Sequence, residues 1–91
     1  MVGQQASHLD IDRSRIGRLA LEEFEVPYVY LADTPVVQSR LRVDGTEYVY
    51  DHSYPVKGHS AVMPGALRGL LAEGRRVLVA ERGERYFVYL A

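Results

Sequence analysis

The side chains with usable chemistry gather between Asp51 and Ser60, where His52, Tyr54, Lys57, His59 and Ser60 fall within one short stretch. The Gly, Pro and Ser around them read as a connector that leads into a helix N-terminus, where unpaired backbone N–H groups and the helix dipole favour negative charge. A phosphate or carboxylate is the ligand such a segment suits. Imidazole as a side chain titrates near neutral pH, so His52 and His59 have the chemistry for metal-free acid and base work on a phosphodiester. Asp51, His52 and His59 match no familiar metal-ligand spacing, and the chain has no cysteine for thiolate ligation or nucleophilic attack. No metal site, cofactor or catalytic residue is assigned.

Two further groups have the character of contact surfaces. Arg13, Arg15 and Arg18 stand at the start of what reads as a helix, with Glu22, Glu23 and Glu25 at its end, an order that opposes the helix dipole at both ends. Either cross-element ion pairs and an Arg18–Glu22 pair one turn apart compensate, or an acidic partner meets the arginines. The closing run Tyr86-Phe87-Val88-Tyr89-Leu90 is apolar on both faces, so Tyr86, Val88 and Leu90 must be covered either centrally in a sheet or by a second subunit. A homodimer through this strand is the expectation.

The elements that position these groups follow one plan written twice. Arg15–Val43 and Ala66–Ala91 each read as amphipathic helix, strand, turn and strand, two units that bury their apolar faces against each other. In the first, Asp12 is an N-cap, Ile11 can close over Ile16 as a hydrophobic staple, and Ile16, Leu19, Ala20 and Phe24 recur at helical spacing. Pro27 ends that helix, Tyr28 to Leu31 continue as strand, and Asp33-Thr34-Pro35 turns the chain. Val37, Ser39, Leu41 and Val43 alternate with Gln38, Arg40 and Arg42, and Asp44-Gly45 is a strong hairpin signal leading to a strand from Thr46 to Asp51.

The second helix starts near Ser60 or Met63, tolerates Pro64 in its first turn and stops at Gly74. Leu67, Leu70 and Leu71 form its apolar stripe, and Gly65 and Gly69 suggest the close approach of another backbone. The fold class expected is a single α+β domain of order α-β-β-β-α-β-β, a mostly antiparallel sheet packed by two helices over residues 11–91, with residues 1–10 as a flexible polar tail.

Composition narrows the function classes. The chain has 91 residues, 47% hydrophobic and 25% charged, with a formal net charge of −1, so no global charge draws it to nucleic acid or membrane. Absence of cysteine suits a reducing cytoplasm, Met1 to Asp10 has neither a basic start nor an apolar run, and no apolar run reaches membrane-spanning length. Seven tyrosines suit half-buried sheet packing; a base-stacking platform would call for a basic groove, whereas Glu47 and Asp51 interleave with Tyr48 and Tyr50.

Two local resemblances complete the reading. Gly45–His52, followed by Val56–Leu71 with its Pro-Gly-Ala-Leu-Arg run, resembles the strand and helix of the HicA toxin ribonucleases, with Glu47 where that family carries its catalytic histidine; this likeness implies a double-stranded-RNA-binding-type fold and metal-free ribonuclease activity. Ala66–Gly74 followed by Val77–Glu84 resembles the helix-strand-strand core of CBS domains, which bind adenine nucleotides in pairs. The function expected is a small, non-enzymatic protein-interaction or regulatory module that forms a homo-oligomer in the cytoplasm, partnered by itself and another protein. The alternatives are a nucleic-acid, nucleotide or anion-binding module using residues 51–60, and a small HicA-like ribonuclease.

Overall fold

The computed structural model describes residues 8–31, 38–58 and 62–91. In chain order its elements are β1 (His8–Ile11), a 3-10 turn (Arg13–Arg15), β2 (Gly17–Leu21), β3 (Phe24–Tyr30), β4 (Arg40–Val43), β5 (Thr46–Pro55), α1 (Met63–Ala72), β6 (Val77–Arg82) and β7 (Arg85–Leu90). The expected α+β fold with two helices and two helix-hairpin units is therefore corrected. Seven strands form one mixed sheet in the order β1-β4-β5-β7-β6-β3-β2, with a single α-helix among the described residues. Only the second unit, α1-β6-β7, has the expected plan. The turn expected at Asp33-Thr34-Pro35 lies outside the described residues.

The first expected helix is instead a hairpin, and its own charges explain why. Arginines at the start and glutamates at the end of a helix raise its energy, whereas a hairpin has no macrodipole to oppose. Asp12 does act as a cap, but on the 3-10 turn, where its side chain accepts the Ser14 N–H at 3.0 Å. That hydrogen bond holds the Asp12 carboxyl below its usual range. Leu19 and Leu21 then alternate with Arg18 and Ala20, and pair with Val26 and Phe24 across the Glu22-Glu23 turn. Arg68 of α1 clasps that turn, 2.6 Å from Glu22 and 3.3 Å from Glu23, with its guanidinium 5.5 Å from the centre of the Phe24 ring.

The sheet has to roll up. Laid flat, its edge strands β1 and β2 would stand about 29 Å apart at the usual strand spacing. Yet only Asp12–Ile16 join them, and with a 3-10 turn in the middle those residues reach well under about 20 Å. The inside of the roll is filled by Ile11, Val29, Leu31, Leu41, Leu78, Ala80 and Tyr89. On the outer face Met63 and Leu67 of α1 cover Val26, Val77, Val79, Val88 and Leu90. Within α1, Pro64 sits in the first turn and Gly74, at φ 85°, follows the C-terminus as expected. Leu67 is fully buried, Leu70 half-buried and Leu71 37% exposed, so the apolar stripe is narrower than three leucines. The close approach expected at Gly65 and Gly69 does not occur, since a Cβ at either meets nothing within 4 Å.

The last strand sits at the middle of the sheet, hydrogen-bonded to β5 and β6. Tyr86, Val88 and Leu90 are accordingly buried in the outer core. Of the two ways to cover β7, the chain uses the central position, and a homodimer through that strand has no free edge to form on. No helix among the described residues is long and apolar enough to cross a membrane.

Candidate anion-binding cleft

The rolled sheet leaves a cleft of about 420 Å³ where its two ends approach each other. The 3-10 turn delivers Arg13, β2 delivers Arg18, and Arg76 enters just ahead of β6. The tip of the β4-β5 hairpin faces them with Asp44, where Asp44 and Gly45 have φ of 52° and 80°, the paired positive values of a two-residue hairpin turn. Ile16, Pro27, Val43 and Leu78 supply an apolar floor, with Tyr48 beside them.

Charge in the cleft is unbalanced. Arg13 is matched by Asp44 at 3.2 Å. Neither Arg18 nor Arg76 pairs with a carboxylate among the described residues, so two arginines line an apolar-floored space whose lining carboxylate, Asp44, is taken by Arg13. Guanidinium stays protonated at any ordinary pH and offers planar, forked donors to carboxylate, sulfonate or phosphate oxygens. The arrangement has the makings of a site for an anion attached to an apolar body.

The structure brings together two of the three arginines singled out from sequence. Arg13 and Arg18 reach the cleft, while Arg15 donates to the Tyr30 carbonyl at 3.0 Å. Arg76 had no signal in the sequence, because an arginine just before a strand is ordinary. Tyr86, Val88 and Leu90, expected at an interface, lie in the core.

The segment 51–60 is placed differently from its expectation. Asp51 to Pro55 continue β5 and do not form a loop. Tyr50 pairs with Tyr89 and His52 with Val88, so Asp51 is the extra residue of a β-bulge that exchanges the faces of the strand beyond it. His52 and Tyr54 therefore share the outer face, their rings edge to face with centroids 4.9 Å apart, and His52 Nδ1 lies 2.5 Å from Asp51. Tyr54 packs against the core under α1, and burial, with the Asp51 charge second, pushes its hydroxyl pKa up. Lys57 is exposed in the turn after β5, while His59 and Ser60 lie outside the described residues. Among the described residues no group of three His, Asp or Glu side chains is placed to hold a metal ion.

Tyrosine hydroxyls account for the remaining buried polar chemistry. Tyr28 donates to Glu81 at 2.7 Å; burial first, and this bond second, raise its pKa well above the usual tyrosine value. Tyr86 is raised by burial and by the Glu81 charge. Half-buried packing with a satisfied hydroxyl describes Tyr28, while Tyr86 is buried.

No protein-family model, curated protein or solved structure matches the chain. The double-stranded-RNA-binding-type fold that the HicA likeness implies is not the fold found, whereas the helix-strand-strand order of the CBS likeness is present locally as α1-β6-β7.

Proposed function

We propose that the protein is a small non-enzymatic interaction module that holds an anionic group of its ligand in the cleft between Arg18 and Arg76. The observation that carries this reading is that Arg18 and Arg76 line an apolar-floored cleft and neither has an ion-pair partner among the described residues. The ligand class is a carboxylate, sulfonate or phosphate borne on an apolar body, whether a free molecule or part of a partner protein.

Titration with anilinonaphthalene sulfonate, an anion on an apolar body whose emission rises on binding, tests the site. Binding should weaken with added salt, stay level from about pH 6 to 9 because arginine does not titrate there, and fall about tenfold in Arg18→Gln or Arg76→Gln. Unchanged affinity in both variants would remove the cleft as the site. Affinity that instead rises as pH falls through the histidine range, and drops in a Lys57→Ala variant, would return the site to residues 51–60.

A further inference from the structure

We propose that β2 is a self-docking edge, on which a second copy of this chain adds its own β2 in antiparallel, two-fold-related register. This names an interaction surface and its occupant beyond the cleft reading; it shares Arg18 with the cleft but is argued from the strand edge and its register, and dimer mass reads it separately from anion affinity.

The first observation is that, among the described residues, β2 ends the sheet and is bonded to β3 alone. An edge of this kind presents a row of unpaired N–H and C=O groups, and proteins commonly blunt it with proline, a bulge or an inward-pointing charge. Gly-Arg-Leu-Ala-Leu carries no proline, its register with β3 is unbroken from Gly17 to Leu21, and its one charge, Arg18, is exposed. Arg18 is the one charge that could discourage pairing, and the register below gives it a partner.

The second observation is that the strand complements itself. Place a two-fold axis at Leu19, so that all of β2 pairs with all of its copy. Leu19 then lies opposite the partner's Leu19, on the face where Leu19 already joins the outer core beside Val26. On the other face Arg18 falls opposite the partner's Ala20. Ala20 is paired in turn with Glu25 on β3, so Arg18 points across a small side chain at the partner's Glu25. The two backbones stand about two strand spacings apart, roughly 10 Å, within the combined reach of extended arginine and glutamate side chains. By symmetry the same bridge forms twice.

The room and the charges for this are present in the single chain. A groove lined by Arg18, Ala20 and Glu25 lies open above the strand, where the partner's guanidinium would run. Glu25 is exposed, and neither Glu25 nor Arg18 has an ion-pair partner among the described residues. The same register thus satisfies the open edge, the half-buried Leu19 and two unmatched charges of opposite sign.

Charge reversal tests the pairing, with mass measured by light scattering over a concentration series up to high micromolar. The parent should dimerise, and Arg18→Glu and Glu25→Arg should each weaken association by about tenfold or more, since each sets like charges face to face at both bridges. An equimolar mixture of the two single variants should recover dimers, because only the mixed pair has opposite charges at both bridges. One bridge then joins the two introduced side chains, and the other joins the retained Arg18 of one copy to the retained Glu25 of its partner. Circular dichroism melts would confirm that these exposed substitutions leave the fold intact. A parent that is monomeric throughout, single variants that dimerise as well as the parent, or a mixture no better than its components would each overturn the proposal.

Discussion

Tyr89 gives the fold a measurable dependence on alkaline pH. It is fully buried inside the roll, and its hydroxyl donates to the Gln38 carbonyl at 2.6 Å. Burial first, and the neighbouring Tyr50 second, push its pKa up to about 12, against about 10 for a tyrosine in an unfolded chain. A raised folded-state value means that the native state favours the neutral hydroxyl. The associated stability is complete below about pH 10 and is lost as pH climbs from about 10 to 12, an interval worth about 2.7 kcal/mol at most. Replacing Tyr89 by Phe keeps the ring but leaves the Gln38 carbonyl without its donor, at about 1 to 2 kcal/mol. Urea denaturation of both proteins from about pH 8 to 12 separates the contributions, because Tyr28, Tyr54 and Tyr86 titrate in both and cancel in the difference. At about pH 8 the Phe variant should be the weaker by about 1 to 2 kcal/mol; by about pH 12 the gap should close and reverse. A difference that stays constant across this range would refute the assignment of Tyr89 as a buried, neutral donor.

Leu67→Ala should cost about 2 to 5 kcal/mol and lower the melting temperature by at least ten degrees or so, whereas Leu71→Ala, on the exposed side of the same helix, should stay within about 0.5 kcal/mol. Equal effects in thermal melts would mean that α1 docks by a different face. Gly45→Ala should destabilise by about 1 kcal/mol because φ is 80° there, while Gly69→Ala, in mid-helix with open space around it, should stabilise by a similar amount. Chemical denaturation of the two variants in parallel checks both signs.

Local turn and cap chemistry was the legible part of this fold. Asp44-Gly45 marks a hairpin because few other residues tolerate a positive φ, and Pro64 and Gly74 bracket the one α-helix among the described residues for reasons of the same kind. Arg13 to Phe24 misled because its apolar residues fit two periods at once. Ile16, Leu19, Ala20 and Phe24 match a helix, while Leu19, Leu21, Phe24 and Val26 match a hairpin with a two-residue turn. The adverse charge order argued for the hairpin, and it carried more information than the spacing. The bulge at Asp51 had no comparable signal. It contains no glycine, and one inserted residue turns the alternation of β5 over, so His52 and Tyr54 lie out of phase with Tyr48 and Tyr50.

The cleft lies beyond local reading for a deeper reason, since Arg13 and Arg18 of one short stretch meet Arg76, far along the chain, only through the strand order and the roll of the sheet. The cause of the roll is nonetheless local. Asp12 fixes a 3-10 turn, the turn shortens the link between β1 and β2, and that short link prevents the two edges from standing at flat-sheet distance. The same link sets Arg13 facing Asp44 and leaves β2 at the mouth of the cleft with one edge that no strand among the described residues pairs. Arg18 therefore stands where the inside of the roll, the free edge and the solvent meet, and both proposed contacts draw on that one side chain. A residue in such a position is found from topology, by asking which strand ends the sheet and what connects it to the opposite end, and not from the spacing of charges along the chain.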